Sequence, residues 1–325
     1  MIIQENIKLS EVLWYKIGGV SQYLLTCNNK KDIFEAINFI NKQGIEKIFI
    51  CGYGTNLVFS DNPFKGAVIK ITEDYNKQTE IAINAQKDIV TFAGTALDTV
   101  ITYALRNNFT GLEWAGGLPG SVGAAIRGNV GAYGSEIQDT LYEAEVLIKT
   151  HKDKFEIKKF SNQELNFSYR HSLIKENPNR MIVISATFRL NPASSIETQK
   201  AWETYNLRIQ DRKNKHPLEY PNCGSVFKNI REPEKIEKIL KVFPDLKEKI
   251  EKKWYGKVAS AYLIQRLGLQ GLRIGDAQIS EKHALFIVNL NHAKASDVLK
   301  VIGAIQNKFV ETFGFSLEPE VEIVH

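Results

Sequence analysis

The chain has 325 residues, 43% hydrophobic and 24% charged, with 42 Lys and Arg against 37 Asp and Glu for a formal charge of +5. This length suits two or three domains, and the slight cationic excess has no basic block, which favours a phosphorylated small molecule over nucleic acid. Cys27, Cys51 and Cys223 have no CxxC spacing and the six histidines no paired ligand spacing, so neither a disulfide framework nor a metal site is expected. The N-terminal MIIQENIKLSEVLWY lacks the pattern of a secretion signal, and no apolar run reaches about 18 residues; both predict a cytoplasmic protein with no membrane partner.

In chain order, residues 12–27 contain a Gly18-Gly19 turn before an apolar strand, and DIFEAINFINKQG has helical spacing at Ile33, Ile37 and Ile40, stopped by Gly44. A strand at Ile48 to Cys51 completes a βαβ unit and runs into a tight loop from Gly52 to Leu57. Gly52 and Gly54 free that backbone, and its amides suit a phosphate. Leu57 stands where the dinucleotide fingerprint needs its third glycine, so the loop is not that fingerprint. Taken alone, it reads equally well as a plain strand-turn.

GAVIKI, TEIAINA and KDIVTFAG read as short strands, and a second domain starts near residue 72. LDTVITYALRNNFTGLEW reads as an amphipathic helix. It leads into GLEWAGGLPGSVGAAIRGNVGAYG at 111–134, which holds eight of the 22 glycines. The woven-in Leu118, Val122 and Ile126 make this run too apolar for a linker, so it is expected to be a buried loop cradling a large polyanionic cofactor. TLYEAEVLI, KFEIKKFSNQEL and MIVISATFRL read as strands of an α+β domain.

Residues 191–215 are polar with helical character in the middle, and a third domain begins there. EPEKIEKILKVFPDLKEKI and KVASAYLIQRLG read as helices, HALFIVNL as a buried strand, and SDVLKVIGAIQNKFVETFG as a last helix. The tail FSLEPEVEIV reads as a strand with Glu318, Glu320 and Glu322 on one face.

The residues also narrow the chemistry. Neither Ser121 nor Ser225 lies in a G-x-S-x-G elbow, which excludes that hydrolase design. His283 reads as a structural hydrogen-bonding residue. Ser225 lies among Pro221, Asn222, Gly224, Lys228 and Asn229, a mixture of turn formers, cation and amide that a bland loop would not need. Arg170 offers a guanidinium for a carboxylate or enolate, and Glu320 an acid in an apolar tail.

IGG at 17–19, GYGTNLVFSDNPFKG at 52–66, the AGGLPG to GAYG run, SYRHS at 168–172, PNCGSVFKN at 221–229, GLQGLRIGDAQIS, KHALFIVN and LEPEV at 317–321 occur in this order along the chain. In these blocks the chain resembles the UDP-N-acetylenolpyruvoylglucosamine reductase family over essentially its full length. The short spacing from Arg170 to Ser225 matches the branch that lacks an extra substrate-covering loop. The resemblance implies an α+β fold: a two-part FAD-binding module of the PCMH type, formed by 1–71 with the tail 317–325 and by 72–208, plus a substrate-binding α+β domain at 209–316. It implies FAD and NADPH as cofactors, and reduction of UDP-N-acetylglucosamine enolpyruvate to UDP-N-acetylmuramate by a monomer.

The catalytic residues it implies are Ser225, Arg170 and Glu320, with Ser225 as proton donor. Cofactor contacts fall on Gly52, Gly54, Thr55, Asn56 and Leu57, and on Ala115, Gly116, Pro119, Gly120, Ser121, Gly123, Asn129, Gly131 and Ala132. Substrate contacts fall on Tyr169, Lys215, Lys228 and Asn229, with Lys213 close enough to compete with Lys215. Lys228 is also the nearby cation that would support an alkoxide at Ser225. The chain departs from the family pattern at Ile230, Thr55, Arg127-Gly128 and Glu322. Glu322 stands where the family usually has arginine, two residues from Glu320 on the face that the period of two gives them. Two other readings share these residues: a flavoprotein oxidase of a hydroxylated small molecule, and a nucleotide-sugar-binding protein without flavin.

Overall fold

The helix Lys30–Gln43 forms where the apolar spacing places it: Asn29 accepts from the Asp32 amide at its start, Gly44 takes the left-handed conformation at its end, and Ile33, Ala36, Ile37 and Ile40 are buried. A computed structural model describes residues 1–74, 80–151 and 154–325. The chain divides into two compact units, Met1–Ile7 with Ser21–Tyr53 and Phe64–Asn214, and Lys8–Val20 with Gly54–Pro63 and Lys215–His325.

In the first unit one sheet runs Ile2–Lys8, Val20–Cys27, Phe64–Ile71, Ile48–Cys51. The two strands flanking the helix Lys30–Gln43 both pair in parallel with Phe64–Ile71, which lies between them. A second sheet runs Lys154–Ser161, Leu141–His151, Met181–Phe188, Ile89–Phe92, Ile81–Ile83, and every pairing in it is antiparallel. Thr79, expected to open the strand TEIAINA, lies outside the described residues. One hydrophobic core serves both sheets, from Leu25 and Ile69 through Val100 and Ile126 to Phe188.

Two expectations in this unit need correction. The amphipathic helix stops at Arg106, because Asn108 adopts a positive φ of 59°, and the chain continues as the strand Phe109–Thr110 and a turn at Glu113–Ala115. The helix Ser195–Lys215 spans 21 residues instead of only the middle of its segment. Its buried side chains are Thr198, Ala201, Tyr205 and Arg212, a helical spacing that polar residues conceal from a hydrophobicity reading.

The second unit has an antiparallel sheet ordered Asn222–Ser225, Phe286–Asn289, Ala277–Ile279, Arg273–Ile274. The helix Ala295–Phe313 buries Val298, Val301, Ile302, Ile305 and Phe309. Its first amides are met by Asp61, whose carboxylate accepts from Ala295 at 2.8 Å and Ser296 at 2.9 Å. Tyr15, 1% exposed, donates its hydroxyl to the Ile287 carbonyl at 2.8 Å. The stretch EPEKIEKILKVFPDLKEKI forms two helices, Pro233–Val242 and Lys247–Lys252, separated at Pro244, which cannot supply a helical amide.

The tail is strand only at Glu322–Val324, which pairs in parallel with Leu57–Phe59. Upstream, the Glu320 and Val321 amides both donate to the Val226 carbonyl, at 2.7 and 3.3 Å, while the Glu322 amide donates to Asn56 at 3.1 Å. Successive amides sharing one acceptor break the alternation of a strand, so the expected common face of Glu318, Glu320 and Glu322 does not form. The buried residues Leu317, Val321 and Val324 follow no period of two.

Candidate functional site

In the first unit, the loop after Ile48–Cys51 meets the glycine-rich run. A Cβ on Gly52 would lie 2.3 Å from Ser121 Oγ, so glycine lets the loop come this close with the serine hydroxyl where it stands. The run is not one loop, as the sequence suggested. Val122–Arg127 is a helix, Gly131–Ala132 pairs with Ser135–Glu136, and Gly117, Pro119 and Tyr133 are exposed. Ala115 and Ser121 are buried, and the Gly123 amide donates to the Ala93 carbonyl at 2.8 Å.

Asn129 is fully buried and acts as a hub. Its amide nitrogen donates to Glu136 at 2.8 Å and to the Ser168 carbonyl at 3.0 Å, and its oxygen accepts from the Gln138 amide at 3.2 Å. Beyond Ser168, Tyr169 carries the Arg170 guanidinium over its ring at 5.1 Å. Arg170 Nη2 donates to the Gly131 carbonyl at 2.9 Å, and Lys175 Nζ donates to the Arg170 carbonyl at 2.9 Å. Arg170 itself holds a left-handed φ of 59°, a conformation that costs energy for an L residue. Asn129, Gly131, Tyr169 and Arg170 thus belong to one constellation.

Sequence reasoning missed the face of Ser195–Lys215 that covers this run. Arg212 is 8% exposed, its Nε donates to the Gly116 carbonyl at 3.0 Å, and burial depresses its pKa. The Arg208 and Arg212 guanidinium groups lie 4.0 and 5.6 Å from the centre of the Tyr133 ring, whose hydroxyl donates to Asp211 at 2.7 Å. Among the described residues, Trp114 Nε1, Arg208 Nε and Arg212 Nη2 are buried with no hydrogen-bond partner. Buried donors of this kind are costly unless an acceptor meets them. The signal in the sequence was two arginines four residues apart.

In the second unit, Ser225 ends the strand Asn222–Ser225 opposite Phe286, and the Val226 amide donates to the Leu285 carbonyl at 2.9 Å. Ser225, Lys228, Asn229 and Glu320 are all half-buried. The tail is tied to the serine's segment by the Glu320 amide to Val226, by the Lys228 amide to the Glu318 carbonyl at 3.0 Å, and by an ion pair between Lys228 Nζ and the Glu318 carboxylate. Asn56 Nδ2 donates to the Glu320 carbonyl at 3.2 Å. Asn56, Ser225, Lys228, Asn229 and Glu320 are therefore gathered in one place. Gly54 and half-buried Thr55 precede Asn56, whereas Leu57 is a buried strand residue.

Lys215, exposed at the end of its helix, precedes His216, whose ring lies 4.8 Å from Phe286 and 5.5 Å from His283. Burial, reinforced by the Lys215 charge, lowers the pKa of His283. Its Nδ1 accepts from the Leu285 amide at 3.3 Å, the structural role that its position suggested.

A model of the FAD binding domain matches residues 21–150, and a model described as UDP-N-acetylenolpyruvoylglucosamine reductase, C-terminal domain, matches 216–324. The fold is α+β with an FAD-binding part of the PCMH type, and the class of protein is an FAD-dependent oxidoreductase. The UDP-N-acetylenolpyruvoylglucosamine reductase of Caldicellulosiruptor saccharolyticus is 38% identical over 97% of this chain and 90% of its own length. That of Enterococcus faecalis is 37% identical over 100% and 94%. The crystal structure of the Thermus caldophilus enzyme covers both chains fully with a TM-score of 0.73 at 25% identity. The chain belongs to the UDP-N-acetylenolpyruvoylglucosamine reductase family.

The residues present fit FAD. The close Gly52–Ser121 approach joins the loop to the glycine run, and the orphaned donors of Arg208 and Arg212 beside that run suit an anionic or carbonyl-rich ligand. No helix among the described residues is long and apolar enough to cross a membrane.

Proposed function

We propose that this chain reduces UDP-N-acetylglucosamine enolpyruvate to UDP-N-acetylmuramate with NADPH as reductant, acting as a cytoplasmic monomer. The observation that carries this reading is the attachment of the Glu320 segment to the Ser225 segment through Val226, which gathers an acid, a hydroxyl, a cation and an amide. FAD, held by the glycine-rich run and the loop at 52–57, would supply hydride chemistry toward one alkene carbon of the enol ether, with NADPH as the reductant. Charge then develops on the substrate carboxylate, where Arg170 and Glu320 act as the stabilising pair. Ser225 Oγ supplies the proton to the other alkene carbon.

Tyr169, Lys215, Lys228 and Asn229 hold the substrate. The loop residues Gly52, Gly54, Thr55, Asn56 and Leu57, with the glycine-rich run, hold the cofactor. On this reading 1–71 with 317–325 and 72–208 form the cofactor module, and 209–316 the substrate domain. A serine donates a proton well only if its alkoxide is stabilised. Lys228 can give that help once its ammonium leaves Glu318.

Anaerobic stopped-flow mixing tests the proposal. NADPH should bleach the flavin absorbance, and UDP-N-acetylglucosamine enolpyruvate added afterwards should restore it. A reduced flavin that ignores this substrate overturns the assignment.

A further inference from the structure

Residues 226–230 carry two of the proposed substrate contacts, Lys228 and Asn229, and are held on two sides. On one side the tail is bonded to Val226 and Lys228. On the other, Ile230 and Val258 exchange both backbone hydrogen bonds, 3.0 Å from the Ile230 amide and 2.8 Å from the Val258 amide. In an antiparallel pair with that register, residue 260 falls opposite residue 228.

The backbone ladder does not continue there, because Ser260 opens the helix Ser260–Arg266. Its amide turns to Asn229 Oδ1 at 3.2 Å, and its hydroxyl takes over the next ladder bond, donating to the Lys228 carbonyl at 2.6 Å. Ser260 is fully buried. A backbone amide can only donate, so the Asn229 atom that it meets is the oxygen. The Asn229 side chain is thereby held through its oxygen at the start of the helix.

We propose that Ser260 is a positioning residue for the substrate: it fixes the Lys228–Asn229 peptide through its hydroxyl and holds the Asn229 side chain through its amide, so that both residues keep one orientation toward the ligand. This inference rests on the reading of Lys228 and Asn229 as substrate contacts. Ser260→Ala keeps the amide bond to Asn229 but releases the Lys228 carbonyl, and Ser260→Thr restores a hydroxyl. Asn229→Asp still accepts from the Ser260 amide but has no donor for an anion.

The test is steady-state kinetics of the flavin-loaded protein with UDP-N-acetylglucosamine enolpyruvate, together with binding of UDP followed by the flavin spectrum. Ser260→Ala should raise KM and weaken UDP binding about fivefold, the size of one lost neutral hydrogen bond, with kcat within about twofold. Ser260→Thr should recover most of the loss. If Asn229→Asp leaves KM and UDP binding unchanged, the reading of Asn229 as a substrate contact fails. If Asn229→Asp weakens both and Ser260→Ala weakens neither, the positioning role alone fails. A Ser260→Ala protein that loses kcat and thermal stability at unchanged KM has lost only a structural bond, which also overturns the inference.

Discussion

Lys228 and Glu318 are joined twice, by the Lys228 amide to the Glu318 carbonyl at 3.0 Å and by an ion pair between their side chains. The carboxylate is 57% exposed and the lysine side chain 20%, so water screens the pair and its net contribution to stability is under about 1 kcal/mol. Its larger effect is on ligands, because an ammonium facing a carboxylate is neutralised toward an incoming anion. Glu318→Gln should leave the melting temperature nearly unchanged and lower KM for the diphosphate substrate roughly threefold at low salt. An unchanged or raised KM would remove Glu318 as a competitor for Lys228.

Gly52 and Ser121 make a reciprocal prediction. Gly52→Ala places a methyl group 2.3 Å from Ser121 Oγ, an overpacking that costs about 1–3 kcal/mol and should weaken FAD binding tenfold or more. Adding Ser121→Ala removes the clashing oxygen and should recover a large part of the loss. Flavin titration of the apoprotein measures both variants. A double variant no better than Gly52→Ala would show that the Ser121 hydroxyl is not what excludes a side chain at 52.

His283 gives the pH dependence a sign. Its folded pKa lies below the ordinary 6.5, chiefly through burial and also through the Lys215 charge. The unfolded chain therefore binds more protons than the folded one as pH falls through about 6.5, and stability declines toward acid until the folded pKa is passed. Denaturant unfolding from neutral to mildly acidic pH should show this slope. His283→Asn retains an acceptor for the Leu285 amide and should flatten it.

The thiols should be inert in the native protein. Cys27, Cys51 and Cys223 are all buried, and burial pushes the Cys27 and Cys223 thiols up to about 12, far from the thiolate form that reacts. A chromogenic disulfide reagent near neutral pH should find none of the three until denaturant is added. Rapid labelling of Cys223, two residues before Ser225, would show that the strand Asn222–Ser225 opens readily.

Much of the candidate site could be proposed from sequence because its residues lie in short blocks. The strand Ile48–Cys51 and its loop, the turn at Tyr169–Arg170, and Ser225 with Lys228 and Asn229 were all marked by their local residues. The rest depends on contacts between distant segments. The engagement of Lys228 by Glu318 and the lock from Ser260 require strand register that no local pattern records. Arg208 and Arg212 escaped notice because the polar helix that carries them hides its buried face, and the tail's alternation was misread because Val226 accepts from two successive amides. A period-two reading treats those amides as equivalent to a strand's, and here they are not.

The parallel pairing of Leu57–Phe59 with Glu322–Val324 has a kinetic side. Asn56 and Glu320, bonded next to that pairing, are 264 residues apart in sequence, so the ladder closes one of the largest loops the chain can make. Loop-closure entropy and high contact order make such pairings late events in folding. Until then Leu57, Val58 and Phe59, all buried in the finished protein, present an apolar strand edge to solvent. Refolding from denaturant should therefore show a slow phase in which the second unit is vulnerable to aggregation, suppressed by dilution and by stabilising the tail.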